Sequence, residues 1–249
     1  MGIVYLVGAG PGAPDLLTVR AVRLLGEADI VFHDALIGPE VLSLAPRAEK
    51  VAVGKRCGRH STAQQFINKR LVDAACRHKV VVRLKGGDPM LFGRAHEEIA
   101  WLQQHSIRVE VVPGVTAALA AGALLGAPLG DDFAALSLSD LQVAWEVVER
   151  RLTAVAAAGL ALALYNPRSR ARTWQLERVL EVLREHRADD TALAVVTDAA
   201  RAGQRVEHAT LATLDPEAVT MRSLLVVAGD SGRLAGPWLV AERGAGVPA

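Results

Sequence analysis

The chain has 249 residues, room for one large domain or two of ordinary size. Its 28 Lys and Arg balance 27 Asp and Glu to a net charge of +1, which argues against nucleic acid or an anionic membrane surface as a partner. Cys57 and Cys76 are too few for a disulfide framework or a zinc cluster, and the chain carries no HExxH, EF-hand or CxxC pattern that would hold a metal. The N-terminus lacks a charged segment followed by an apolar one. The longest apolar stretches, 115–129 and 154–165, are rich in Ala and Gly and too short to cross a bilayer. The expectation is a cytoplasmic protein with no membrane partner.

In chain order, Ile3–Val7 reads as a buried strand ending in the turn Gly8-Ala9-Gly10-Pro11-Gly12-Ala13-Pro14. Gly8, Gly10 and Ala13 match the spacing of a dinucleotide fingerprint, and a Rossmann-type oxidoreductase is the alternative this suggests. That motif needs a helix to open at once, and Pro11 and Pro14 interrupt it. The helix is expected from Leu16 or Thr18 to Ala28. Ile30–His33, Lys50–Val53, Val80–Leu84 and Val109–Val112 read as further strands, with helices at Val19–Glu27, Ala63–Arg77 and Ala95–His105. This β/α alternation predicts a mainly parallel sheet covered by helices.

A small-residue helix, Thr116–Leu125, stops at Gly126 and Pro128 and reads as a link between domains. Beyond it, strands are expected at Ala134–Leu138, Leu160–Tyr165, Ala192–Val196 and Leu224–Val227, and helices at Trp145–Ala158 and Thr173–His186. Asp215-Pro216 marks a turn. The organisation is an N-terminal α/β domain over 1–114, a linking helix over 115–126, a C-terminal α/β domain over 127–233 and a fraying tail over 234–249.

Four segments follow a strand with a Gly/Pro turn and polar residues: 8–14, 54–61, 85–94 and 112–118. The second gathers Lys55, Arg56, Arg59 and His60, a local anion site or a solvated basic loop. In the third, Gly86 and Gly87 bare the backbone beside an apolar lip of Met90, Leu91 and Phe92, and Asp88 is either a ligand contact or a turn residue. Asp34 stands at the carboxyl end of the second strand, where α/β sites gather; the alternative is that it caps the next turn.

The segments GAGPGAPDLLT, DALI, VGKRCGRHS, VVRLKGGDPMLFGRAHEE and VEVVPGVTAALAA resemble the tetrapyrrole methylases that use S-adenosylmethionine. The resemblance covers nearly the whole chain. The first half is most similar to the uroporphyrinogen-III C-methyltransferases of sirohaem and cobalamin synthesis. In the second half, DDFAALSLSD, WEVVERRL, ALYNPRS and RTWQLE look like the precorrin-3B C17-methyltransferase branch.

That family implies two α/β domains with mainly parallel or mixed sheets and an interdomain cleft, usually in a homodimer. It implies a donor, S-adenosylmethionine, released as S-adenosylhomocysteine, and a small-molecule tetrapyrrole acceptor. Carried over by motif, the donor contacts are Pro11, Gly86, Gly87, Asp88, Leu91, Thr116, Ala117, Asn166, Ala199 and Gly229, the last three at matching strand ends. Asn166 stands where the uroporphyrinogen-III branch usually has Met. Lys55, Arg56, Arg59 and His60 would grip the acceptor's carboxylates, and Asp34 would be the base.

Overall fold

A computed structural model describes residues 1–53, 60–169 and 172–243. The chain divides into two units, Met1–Thr116 and Ala117–Ala249.

The first unit runs β1 (Ile3–Gly8), a 3-10 turn (Pro14–Leu16), α1 (Val19–Glu27), β2 (Ile30–His33), α2 (Pro39–Leu42), β3 (Glu49–Ala52), α3 (His60–Ala75), β4 (Val80–Lys85), α4 (Ala95–Gln104) and β5 (Arg108–Val112). All its strands are parallel, in the order β3-β2-β4-β1-β5. The delayed helix is present. The prolines hold the chain out of helix until Thr18, whose Oγ1 accepts from the Ala21 N–H at 3.1 Å and caps α1. α1 and α2 cover one face through Ala21, Leu24, Leu25 and Val41, packed with Val7, Val31, Val82 and Leu84. α3 and α4 cover the other, where Ile67, Leu71, Ala74 and Ala75 recur at helical spacing over Val4, Leu6, Phe32 and Val81.

The chain therefore leaves adjacent β1 and β4 toward opposite faces of the sheet. Such a divergence opens a crevice at the carboxyl ends of the strands.

The second unit runs α5 (Ala117–Leu125), β6 (Gly126–Ala127), β7 (Phe133–Ser137), α6 (Trp145–Ala157), β8 (Ala161–Tyr165), α7 (Gln175–His186), β9 (Ala192–Thr197), β10 (Arg205–Thr210), a 3-10 turn (Pro216–Ala218), β11 (Ser223–Val227), β12 (Gly232–Ala235) and β13 (Trp238–Ala241). Its main sheet is mixed, in the order β10-β9-β11-β8-β7. Only β7 and β8 are parallel. Short returns without a crossover helix, such as 198–204, permit the antiparallel pairs. α6 and α7 pack on one face through Val148, Leu152, Leu176, Val179, Leu180 and Leu183.

The helix read as a link between domains begins at the boundary of the two units, and Ala118, Ala121 and Leu125 bury it in the second unit's own core. One expectation is corrected. Residues from 234 are not a fraying tail. β12 and β13 form a hairpin about Gly236-Pro237, with Gly236 at φ +61° and Leu239 fully buried. Residues 244–249 lie outside the described residues. Finally β10, missed in the sequence, is a polar edge strand paired only to β9; charged side chains suit an edge because they discourage further pairing.

The fold places one steric demand on its first turn. A Cβ on Gly8 would stand 2.6 Å from the backbone of Gly114 and 2.7 Å from the Gly87 carbonyl oxygen. Gly8→Ala should cost roughly 3 kcal/mol in denaturant unfolding. Gly26→Ala, in α1 where a Cβ meets nothing within 4 Å, should instead gain about 0.5–1 kcal/mol.

Candidate functional site

At the carboxyl edge of the first sheet, three of the four Gly/Pro turns meet. Ala9 N–H donates to the Lys85 carbonyl at 2.7 Å. Gly10 and Gly87 exchange backbone bonds at 3.2 and 2.8 Å. Gly10 and Gly87 have φ of +66° and +65°, so their positions favour glycine. Gly114 lies so close that a Cβ on it would come within 2.3 Å of the Gly87 carbonyl oxygen. The turns after β1, β4 and β5 thus form a wall made mainly of main chain.

Asp88 joins two of these turns. Its Oδ1 accepts from Met90 N–H at 2.8 Å and its Oδ2 from Gly114 N–H at 3.0 Å. These bonds are those of a turn residue, the alternative to a ligand contact, and they also fix the wall's shape. Next to it, Gly86 is exposed, with open space where a Cβ would be. Met90 and Phe92 are exposed and Leu91 half-buried, so the apolar lip is present. Phe92 and Arg94 carry left-handed backbone, φ 54° and 57°, and Arg94 is held by a two-pronged contact to Glu97 at 2.6 and 2.7 Å. Strain that persists under such constraint is common at ligand sites. Pro11 is buried on the first turn and Thr116 is half-buried after the last.

Asp34 sits beside this wall, its N–H on the Leu84 carbonyl at 3.4 Å. Among the described residues, no backbone N–H is bonded to its side chain. Its Oδ1 accepts from Arg83 Nη2 at 2.5 Å. Arg83 also donates from Nε to Glu98 Oε1 at 3.1 Å, and Lys85 Nζ donates to Glu98 Oε2 at 3.0 Å. Gln64 Nε2 donates to Glu98 Oε1 at 3.2 Å and to Asn68 Oδ1 at 3.0 Å. The side chains of Arg83, Lys85 and Glu98 are 4%, 5% and 0% exposed, against 36% for Asp34. Burial opposes the charge on Arg83, but the Asp34 and Glu98 carboxylates outweigh it and hold the guanidinium above its ordinary range. Burial, with repulsion from Arg83, pushes the Lys85 ammonium down, and Glu98 offsets part of this. Sequence reasoning passed over Arg83, Lys85 and Glu98. The available signal was two basic residues at i, i+2 of an apolar parallel strand, which places them on one covered face and requires a buried acid.

The basic cluster Lys55, Arg56 and Arg59 lies outside the described residues, as does the side chain of His60.

In the second unit, the motifs from 133 onward converge at the carboxyl ends of β7 and β8. Asn166 Nδ2 donates to Ser137 Oγ at 3.0 Å, Arg172 Nε to the Asn166 carbonyl at 3.1 Å, and Gln175 Nε2 to Asp140 Oδ2 at 2.9 Å. Arg172 is buried, which pushes its guanidinium down, and Asp140 offsets part of this. Asn166, Asp198 and Ala200 are left-handed, with φ of 53–56°, so strained backbone occupies Asn166 and flanks Ala199 on both sides. Ala117 opens α5.

Gly229 does not belong with Asn166 and Ala199. β11 is antiparallel to both β8 and β9, which puts Gly229 at the opposite end of the sheet from them. Six residue steps, from Leu160 opposite Gly229 to Asn166, separate the two ends, about 20 Å at the usual strand rise. A Cβ on Gly229 would meet Ala161 N and the Gly159 carbonyl oxygen at 2.7 Å, so this glycine serves close packing.

Residues 3–215 match the family Tetrapyrrole (Corrin/Porphyrin) Methylases. The chain belongs to this family. It is 42% identical over 212 residues to the uroporphyrinogen-III C-methyltransferase of Pseudomonas aeruginosa, covering 82% of each chain. It is 55% identical over 130 residues to the siroheme synthase of Psychrobacter cryohalolentis, which is 52% of this chain and 25% of that protein. The chain thus spans about a quarter of the siroheme synthases it matches. Among solved structures, the methyltransferase CobJ superposes with a TM-score of 0.85 at 32% identity, covering 97% of this chain and all of that one. The uroporphyrin-III C-methyltransferase of Thermus thermophilus complexed with S-adenosyl homocysteine gives 0.74 at 38% identity, covering 91% and 97%. The tetrapyrrole methylases are methyl-transfer enzymes, so the Gly8-x-Gly10 turn is not the fingerprint of an oxidoreductase.

The tie made by Asp88 yields a prediction. Asp88→Asn presents an amide N–H₂ to one of two backbone N–H groups and leaves that donor unpaired. It should lower stability by about 1–3 kcal/mol in denaturant unfolding.

Proposed function

We propose that this chain is an S-adenosylmethionine-dependent C-methyltransferase whose acceptor is uroporphyrinogen III. The observation that carries the proposal is the glycine wall after β1, β4 and β5 with the Asp34 carboxylate beside it. The likeness to the Pseudomonas aeruginosa enzyme over most of both chains supports the choice of acceptor. The donor fits this wall. Bare backbone at Gly86 and Gly87 accepts a close ligand, and the lip of Met90, Leu91 and Phe92 suits its apolar parts.

When bound, the donor supplies a sulfonium methyl: a pyrrole carbon's electron pair forms the new C–C bond while the C–S pair stays on sulfur. The chain's own contribution is position. Pro11, Gly86, Gly87, Asp88, Leu91 and Thr116 hold the donor, and Asp88 also keeps the turns in register. Alignment of two reactants is worth up to roughly 7–11 kcal/mol of barrier. Asp34 takes the proton that the acceptor loses, through Oδ2, since Oδ1 is engaged by Arg83. Lys55, Arg56, Arg59 and His60 bind the acceptor's peripheral carboxylates. In the second unit the proposal names Ala117, Asn166 and Ala199 as donor contacts and leaves Gly229 out. A cytoplasmic homodimer is proposed from the resemblance.

A second reading keeps the donor and changes the acceptor to precorrin-3B, methylated at C17. It is favoured by the second-half motifs gathered around Asn166 and Arg172.

Incubation with labelled S-adenosylmethionine and each acceptor, read by mass spectrometry, separates the two. Methyl transfer to uroporphyrinogen III is expected; transfer to precorrin-3B alone would move the assignment to the second reading. Asp34→Ala should lower turnover by roughly a hundredfold or more while calorimetric binding of S-adenosylhomocysteine persists. Unchanged turnover would remove Asp34 from the chemistry.

A further inference from the structure

We infer that Glu98, acting through Arg83, is a positioning residue for Asp34. The inference rests on the reading of Asp34 as the group that accepts the proton.

Arg83 projects from the middle of the sheet, its backbone paired to Leu6 on one side and Phe32 on the other. From there its guanidinium is held in three directions: Nε to Glu98 at 3.1 Å, Nη1 to the Leu84 carbonyl at 3.1 Å, and Nη2 to Asp34 at 2.5 Å. A planar fork held at two of its ends directs the third. Glu98 is the fixed end. It is fully buried on α4 and takes hydrogen bonds from Arg83, Lys85 and Gln64.

Stability alone does not account for this arrangement. Removing charges from water costs several kcal/mol per ion, and well-packed apolar residues often serve as well. Arg83, Lys85 and Glu98 together carry a net charge of +1, which Asp34 neutralises. Of the four, Asp34 is the one with solvent access, at 36% side-chain exposure. The buried triad thus terminates on the carboxylate at the site. Its effect is to clamp Oδ1, which leaves Oδ2 as the oxygen that takes the proton. The proton taken up by Asp34 leaves to solvent, which reaches its side chain at 36% exposure.

The test is a double-mutant cycle on turnover, with labelled donor and whichever acceptor the wild-type chain methylates. Glu98→Gln keeps the shape and removes the charge. It should lower kcat roughly ten- to a hundredfold in the wild-type background, and by less than about twofold in an Asp34→Asn background. The Kd for S-adenosylhomocysteine should stay within about twofold in both. Equal losses in the two backgrounds, or undiminished kcat in Glu98→Gln alone, would overturn the positioning role. Arg83→Lys, which keeps the charge but lacks the fork, should show the same coupling and serves as the variant if thermal unfolding shows that Glu98→Gln does not fold. Undiminished turnover in Asp34→Asn by itself would overturn the reading of Asp34, a result separable because Glu98 is intact.

Discussion

The first unit depends on the close approach of three backbones at Gly8, Gly87 and Gly114. The parallel strands β1, β4 and β5 end side by side, and their turns come nearer than any Cβ would permit. This contact bonds the turns to one another through their main chain and presents a wall made mainly of backbone. The divergence of α1 and α4 to opposite faces of the sheet keeps the space above that wall open. Asp88 then ties the β4 and β5 turns through two backbone N–H groups, so a single carboxylate sets the geometry of both.

The second constraint is electrostatic. A parallel sheet covered on both faces is ordinarily apolar throughout, yet β4 places Arg83 and Lys85 on a buried face. Glu98 on the following helix answers both, and Asp34 completes the balance of charge. The arrangement joins the interior of the unit to the edge where the wall stands. Stability and the geometry of the site are therefore coupled through the same atoms.

The second unit reaches a comparable result by other means. Its sheet is mostly antiparallel, so strand ends that look equivalent along the chain fall at opposite edges. Asn166 and Ala199 share an edge at which the backbone is left-handed and where Arg172 is buried against the Asn166 carbonyl. Gly229 falls at the other edge and packs against Gly159 and Ala161.

Much of the fold and the family was legible in the residues. The alternation of Val-rich strands with amphipathic helices specified the parallel sheet, because local periodicity reports which face is covered. The two prolines after Gly10 excluded an immediate helix, because a ring without an N–H cannot supply the donors such a site needs. The motif at 85–94 and its companions pointed to the methylases, because close backbone approach permits few residue types. Other features belonged to the tertiary structure alone. Gly236-Pro237 reads as the end of a chain until Leu239 is seen buried against α5. Arg83 and Glu98 have no assigned role along the chain, and their pairing exists only once β4 and α4 are packed together. Strand direction decided the place of Gly229. In each case the deciding quantity is a pairing between residues far apart in the chain, and no local pattern encodes the direction, burial or charge of a partner that only folding supplies.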